Sequence, residues 1–116
     1  MVFAKKKWGQ NFLVDNNLLE KIIKTIDIKK DDEILEIGPG HGALSEKIIQ
    51  KTKALKMVEI DPELIQVLGQ NPLLSSFEIF NHDILKTNLK ELGLNSPKVI
   101  GNIPYNITSP IIFWLI

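Results

Sequence analysis

The sequence contains no cysteine and no arginine, and its apolar residues never form a long uninterrupted run. Without cysteine there are no disulfides, no thiolate metal sites and no cysteine nucleophile. Without a run of about 18 apolar residues there is no transmembrane helix to place. An excess of one charge is missing too, because fourteen lysines face fourteen Asp plus Glu. No overall basic field therefore argues for nucleic acid, and only local patches could serve. The absence of arginine carries no mechanistic reading. The start, Met1-Val2-Phe3-Ala4-Lys5-Lys6-Lys7, puts charge where a signal peptide needs its apolar stretch, so the chain reads as soluble, intracellular and cytoplasmic. Its 116 residues make one domain or part of one, and 44% hydrophobic content suffices for a packed core.

What is present is a punctuated alternation of strand-like and helix-like stretches. Asn17 with Glu20 has the form of a capping box, and Leu18, Leu19, Ile22, Ile23 and Ile26 recur at helical spacing. Glu33-Ile34-Leu35-Glu36-Ile37 reads as a buried strand feeding a glycine loop, Gly38-Pro39-Gly40-His41-Gly42, after which Ala43, Leu44, Ile48 and Ile49 suit a helix of about two turns. A second strand, Ala54 to Ile60, leads to Asp61-Pro62, an N-cap followed by proline at the first helical position. Phe77 to Phe80 gives a third strand, Leu89 to Leu92 a short helix stopped by Gly93, and Lys98 to Gly101 a fourth strand. Asn102 to Thr108 reads as a loop, and Ser109-Pro110 as the start of a last helix over Ile111 to Ile116. Such alternation with short links predicts an α/β fold, a mainly parallel sheet with helices on both faces. Ligands of such sheets sit at the carboxyl ends of the strands.

Four polar or turn-like stations fall at those ends. The glycine loop permits close backbone approach, although its G-x-G-x-G spacing is one residue tighter than the G-x-G-x-x-G of nicotinamide enzymes. Glu59 lies about 20 residues further on, where an acidic side chain accepts hydrogen bonds from ribose hydroxyls; otherwise it is an exposed strand-end carboxylate. Asp83 suits an adenine amine or a cap on the next turn. His41 and His82 lack ligand spacing and read as loop histidines, so no metal site is expected. The basic Lys5-Lys6-Lys7-Trp8 could touch phosphate and stack on a base, or form a solvated arm. Gln10-Asn11 would by itself be a turn.

The fourth station, Asn102-Ile103-Pro104-Tyr105, separates the readings. A base amine is a poor nucleophile because its lone pair is delocalised into the ring. An Asn oxygen and a neighbouring backbone carbonyl can accept its two hydrogens and favour a pyramidal nitrogen. Proline fixes the turn, and tyrosine offers a stacking face for a base presented out of its helix.

Taken in order, KKKWGQNFL, EIGPGHGALS, EID, HDIL and GNIPYNIT make the chain similar to the KsgA-type ribosomal RNA adenine dimethyltransferases across nearly its whole length. The resemblance implies a class I S-adenosylmethionine-dependent methyltransferase sheet of Rossmann-like type, with S-adenosylmethionine as cofactor and small-subunit ribosomal RNA as partner. It implies cofactor contacts from Asn11, Leu13, Gly38, Glu59, Asp83 and Asn102. Asn102 would also meet the target amine, and Tyr105 would stack on the target base. It makes Gln10-Asn11 part of a cofactor lid and Lys5 to Lys7 an RNA contact.

Two departures qualify it. Ile103 stands where the family often has Leu, and N-I-P-Y also occurs in the related large-subunit enzymes that confer macrolide resistance; the G-P-G loop and the W-G-Q-N-F-L start favour the small-subunit type. Family members also continue beyond the point corresponding to Ile116, through further strands and a helical C-terminal domain. By the resemblance, residues 1–116 are the N-terminal part of a catalytic domain, inactive alone and monomeric when complete. Strand order 3-2-1-4 is expected, with strand four an open edge. The competing readings are a nicotinamide oxidoreductase, a large-subunit methyltransferase, and a non-catalytic RNA-binding or assembly factor on the same fold.

Overall fold

The central strand, β1 (Ile34–Ile37), shows why the chain folds as it does. Ile34, Leu35 and Glu36 are all fully buried, as expected of a strand covered on both faces in a parallel sheet. A computed structural model describes residues 16–102 and 111–115. β1 pairs in parallel with β2 (Leu55–Val58) on one side and with β4 (Lys98–Asn102) on the other. β3 (Glu78–Phe80) adds outside β2, and the sheet order is β3-β2-β1-β4-β5. The expected 3-2-1-4 order is thus present.

Successive side chains of a strand point to opposite faces, and the core divides accordingly. Ile34, Met57 and Ile100 face α1 (Asn16–Ile26), α2 (Ala43–Ile48) and α3 (Pro62–Gln70) through Leu19, Ile22, Leu44, Ile48 and Leu68. Burial of each such Leu or Ile is worth about 1.5–3 kcal/mol relative to exposure. Leu35, Val58 and Val99 face the other way, onto Leu92 and Leu94. Among the described residues that second face carries two 3-10 helices, Ile84–Lys86 and Leu89–Leu92, the second where the sequence predicts a short helix. Gly93, left-handed at φ 77°, ends the second turn as its position suggests.

Local capping follows the sequence at α3, where Asp61 accepts from the Glu63 amide at 2.9 Å and Pro62 opens the helix. It does not at α1. That helix already begins at Asn16, so Asn17 lies inside it instead of capping it. Glu20 pairs instead with Lys47 of α2 at 2.7 Å, which joins two neighbouring helices.

The largest correction is at the end of the chain. Ile111–Leu115 is not a helix but a strand, β5, antiparallel to β4 with Asn102 opposite Ile111 and Lys98 opposite Leu115. β4 is therefore an interior strand and not the open edge. Ile111, Ile112, Phe113 and Trp114 are β-branched or aromatic and favour strands. An unpaired β4 edge would offer them a row of ready hydrogen-bonding groups.

Candidate functional site

The sheet register brings the stations together. Ile37 pairs with both Val58 and Gly101, and Val58 pairs with Phe80, so these four residues form one line across the sheet. The next residue in each strand direction is Gly38, Glu59, Asn81 or Asn102. All therefore lie on one rim, at the carboxyl ends of four parallel strands. The Gly38 amide donates to Val58 O at 2.8 Å and the Glu59 amide to Phe80 O at 2.9 Å, carrying the ladder into the rim. Asn102 is the last residue of β4, not part of a loop.

Three glycines of the loop take left-handed backbone: Gly38 at φ 68°, Gly40 at 63° and Gly42 at 92°. Their roles differ. A Cβ on Gly40 would meet nothing within 4 Å, whereas one on Gly42 would lie 2.4 Å from Leu74 Cδ1. Gly40 is thus required by conformation and leaves open space, and Gly42 lets α2 start against the α3 region.

Glu59 is only 2% exposed, so it is not a free strand-end carboxylate. Its Oε1 accepts from the Gly40 amide at 3.4 Å and its Oε2 from the Asp61 amide at 3.1 Å. The side chain thereby joins the glycine loop to the cap of α3. Asn81, which sequence reasoning passed over, donates through Nδ2 to the carbonyls of Glu59 and Ile60 at 2.9 and 3.1 Å and fixes the neighbouring strand ends. Asp83 is partly buried and caps the first 3-10 turn, its Oδ1 accepting from the Leu85 amide at 3.0 Å. The capping alternative is therefore realised, in a position that still belongs to the rim. Ile60 and Leu85, beside these two acids, are 57% and 91% exposed.

Glu36 is a second residue that the sequence reading did not single out, although a lone carboxylate within I-L-E-I is the signal for it. It is fully buried. Ser45 Oγ of α2 lies 2.5 Å from Glu36 Oε1, while Oε2 has no hydrogen-bond partner. Burial pushes its carboxyl up to about 7; the Ser45 hydrogen bond opposes this and the nearby Glu59 charge adds to it.

Asn11, Leu13, Tyr105 and the Lys5–Lys7 cluster lie outside the described residues. Among the described residues no group of three or more His, Asp or Glu side chains could hold a metal ion, and no helix is long and apolar enough to cross a membrane. An open groove of about 740 Å³ lined by Lys30, Lys51 and Lys53 lies at the amino ends of β1 and β2, away from this rim.

The chain is 45% identical over 112 residues to the ribosomal RNA small subunit methyltransferase A of Malacoplasma penetrans, a match covering 96% of the chain and 40% of that protein. It is 44% identical over 115 residues to the same-named protein of Caldanaerobacter subterraneus, covering 94% and 43%. The chain thus spans less than half the length of these relatives. Among solved structures it resembles the 23S rRNA methyltransferase ErmE, with a TM-score of 0.63 and 28% identity over 83% of the chain and 38% of that one. A dimethyladenosine transferase from Plasmodium falciparum shares the fold, with a TM-score of 0.57 at 22% identity over 74% and 41%. The sequence model of the family described as ribosomal RNA adenine dimethylase matches residues 1–116, and the chain belongs to that family.

Proposed function

We propose that the full-length protein transfers methyl groups from S-adenosylmethionine to the N6 amine of adenosine in small-subunit ribosomal RNA, twice per nucleotide. The observation that carries this reading is the common rim. Gly38, Glu59 and Asn102 stand one residue beyond paired positions of adjacent parallel strands, with Asp83 just after β3.

The residues present fit such a cofactor. Glu59, held between two backbone amides, would accept from ribose hydroxyls. Gly40 leaves open space above the loop. Ile60 and Leu85 expose apolar surface beside the two acids, suited to a purine ring, and Asp83 suits its amine. Asn11 and Leu13 are assigned to the same cofactor. The cofactor supplies an activated methyl group on a positively charged sulfur, so the protein's task is mainly positioning. Asn102 would accept from the target amine and Tyr105 would stack on its ring. No metal and no covalent nucleophile enters this mechanism. Small-subunit RNA as substrate is supported by the names of the relatives at 45% and 44% identity.

The large-subunit alternative is favoured by the likeness to ErmE at 28% identity and by the N-I-P-Y form of the fourth motif. Offering purified 30S and 50S subunits to the full-length protein with labelled cofactor decides between them. Methyl incorporation into 30S RNA is expected. Incorporation into 50S RNA alone would establish the alternative, and tight RNA association without incorporation into either would favour a binding factor.

A further inference from the structure

Glu36 has no part in the function just proposed, yet it is a fully buried acid two residues before the glycine loop. Isolated buried carboxylates are costly, and a buried polar atom without a partner calls for an explanation. The groups around it are few. Its register partners, Met57 on β2 and Ile100 on β4, are apolar, and from α2 it meets the Ser45 hydroxyl. The charged side chains of α2 point elsewhere, Glu46 to Asn71 and Lys47 to Glu20. Among the described residues the charge that acts on it is that of Glu59, with the same sign. No cation among these groups balances the acid, and Oε2 has no donor. In the ligand-free site burial thus leaves the carboxyl about half protonated near pH 7.

We propose that Glu36 is a charge-compensating positioning residue that releases its proton when the cationic cofactor binds and regains it when the neutral thioether product is formed. The proposal rests on the S-adenosylmethionine reading above. It follows from Coulomb's law in a site of low dielectric: a positive charge brought to the far side of the glycine loop favours the ionised form of an acid behind it. The balance is simple. A carboxylic acid and a cation outside become a carboxylate and a cation inside, with one proton given to solvent. The donor and its demethylated product differ by one methyl and one positive charge. An acid that ionises only for the charged ligand would therefore hold the donor more tightly than the product and assist product exchange.

The test is calorimetric titration of the full-length protein near pH 7 with S-adenosylmethionine and with S-adenosylhomocysteine, in two buffers of different ionisation heat. The expected result is release of about half a proton per S-adenosylmethionine at the midpoint of the Glu36 titration, clearly less with S-adenosylhomocysteine, and loss of that difference in Glu36→Gln. Ser45→Ala removes a hydrogen bond that favours the carboxylate, so it should move the pH of half-maximal release upward. Equal proton counts for the two ligands, or an unchanged count in Glu36→Gln, would overturn the proposal while leaving the cofactor reading intact. Failure of the wild-type protein to bind either ligand would overturn that reading and the proposal with it.

Discussion

The backbone amide of Gly40 donates to Oε1 of Glu59 at 3.4 Å, so the loop after β1 and the acid after β2 form one unit. Glu59→Ala would remove the acceptor of this amide and that of Asp61. We expect cofactor affinity to fall by about tenfold or more, the scale of one charge-assisted hydrogen bond. Calorimetry on the full-length protein checks this, and an unchanged affinity would count against the ribose role.

Two glycine substitutions should separate conformation from packing. Gly40→Ala meets open space and bears only the strain of a left-handed alanine, about 1–2 kcal/mol. Gly42→Ala adds a clash with Leu74, which brings a further overpacking cost of about 1–3 kcal/mol. Thermal unfolding should therefore rank Gly42→Ala well below Gly40→Ala, and the reverse order would contradict the packing described.

Glu36 gives stability a definite pH dependence. Its carboxyl titrates at about 7 when folded, against a usual value of 4.5, so the native state binds the extra proton. Stability from this group is fully present below about pH 4.5 and is lost as pH rises to about 7, a change on the order of 3 kcal/mol. Glu36→Gln should remove that fall, which denaturant midpoints at pH 5 and pH 8 would reveal.

Asn102→Ala should leave unfolding unchanged but reduce methyl transfer by about 100-fold or more, as expected when a reacting group loses its positioning contact. Undiminished methylation of ribosomal subunits by the full-length variant would refute the role assigned to it.

Leu85 is 91% exposed, so Leu85→Ala should change stability by less than about 0.5 kcal/mol. A several-fold loss of cofactor affinity without a shift in melting temperature would mark it as ligand-facing, and no loss would remove it from the site.

Much of this was readable in advance where one local signal acted alone. Asp61-Pro62 and Gly93 dictated their turns, and the glycine loop announced the end of β1. The misread places were those where distant structure decides. Ile111 to Leu115 suits a helix or a strand by its own pattern, since a short apolar run has no distinguishing period; the edge of β4 settles it. Asn17 and Glu20 have the spacing of a cap, but Lys47 on another helix claims the glutamate. Glu36 looked like one polar residue in a strand, and only the packing of α2 shows that it has no route to water.

The contact between Gly42 and Leu74 also makes the two positions a single parcel of volume divided between distant parts of the chain. A side chain at 42 would be admissible only if 74 shrank, and a larger residue at 74 would press on the loop before it pressed on the core. Sequence drift at a buried leucine far along the chain is therefore constrained by the shape of the rim, and a side chain at 42 would need both a smaller residue at 74 and tolerance of a left-handed backbone.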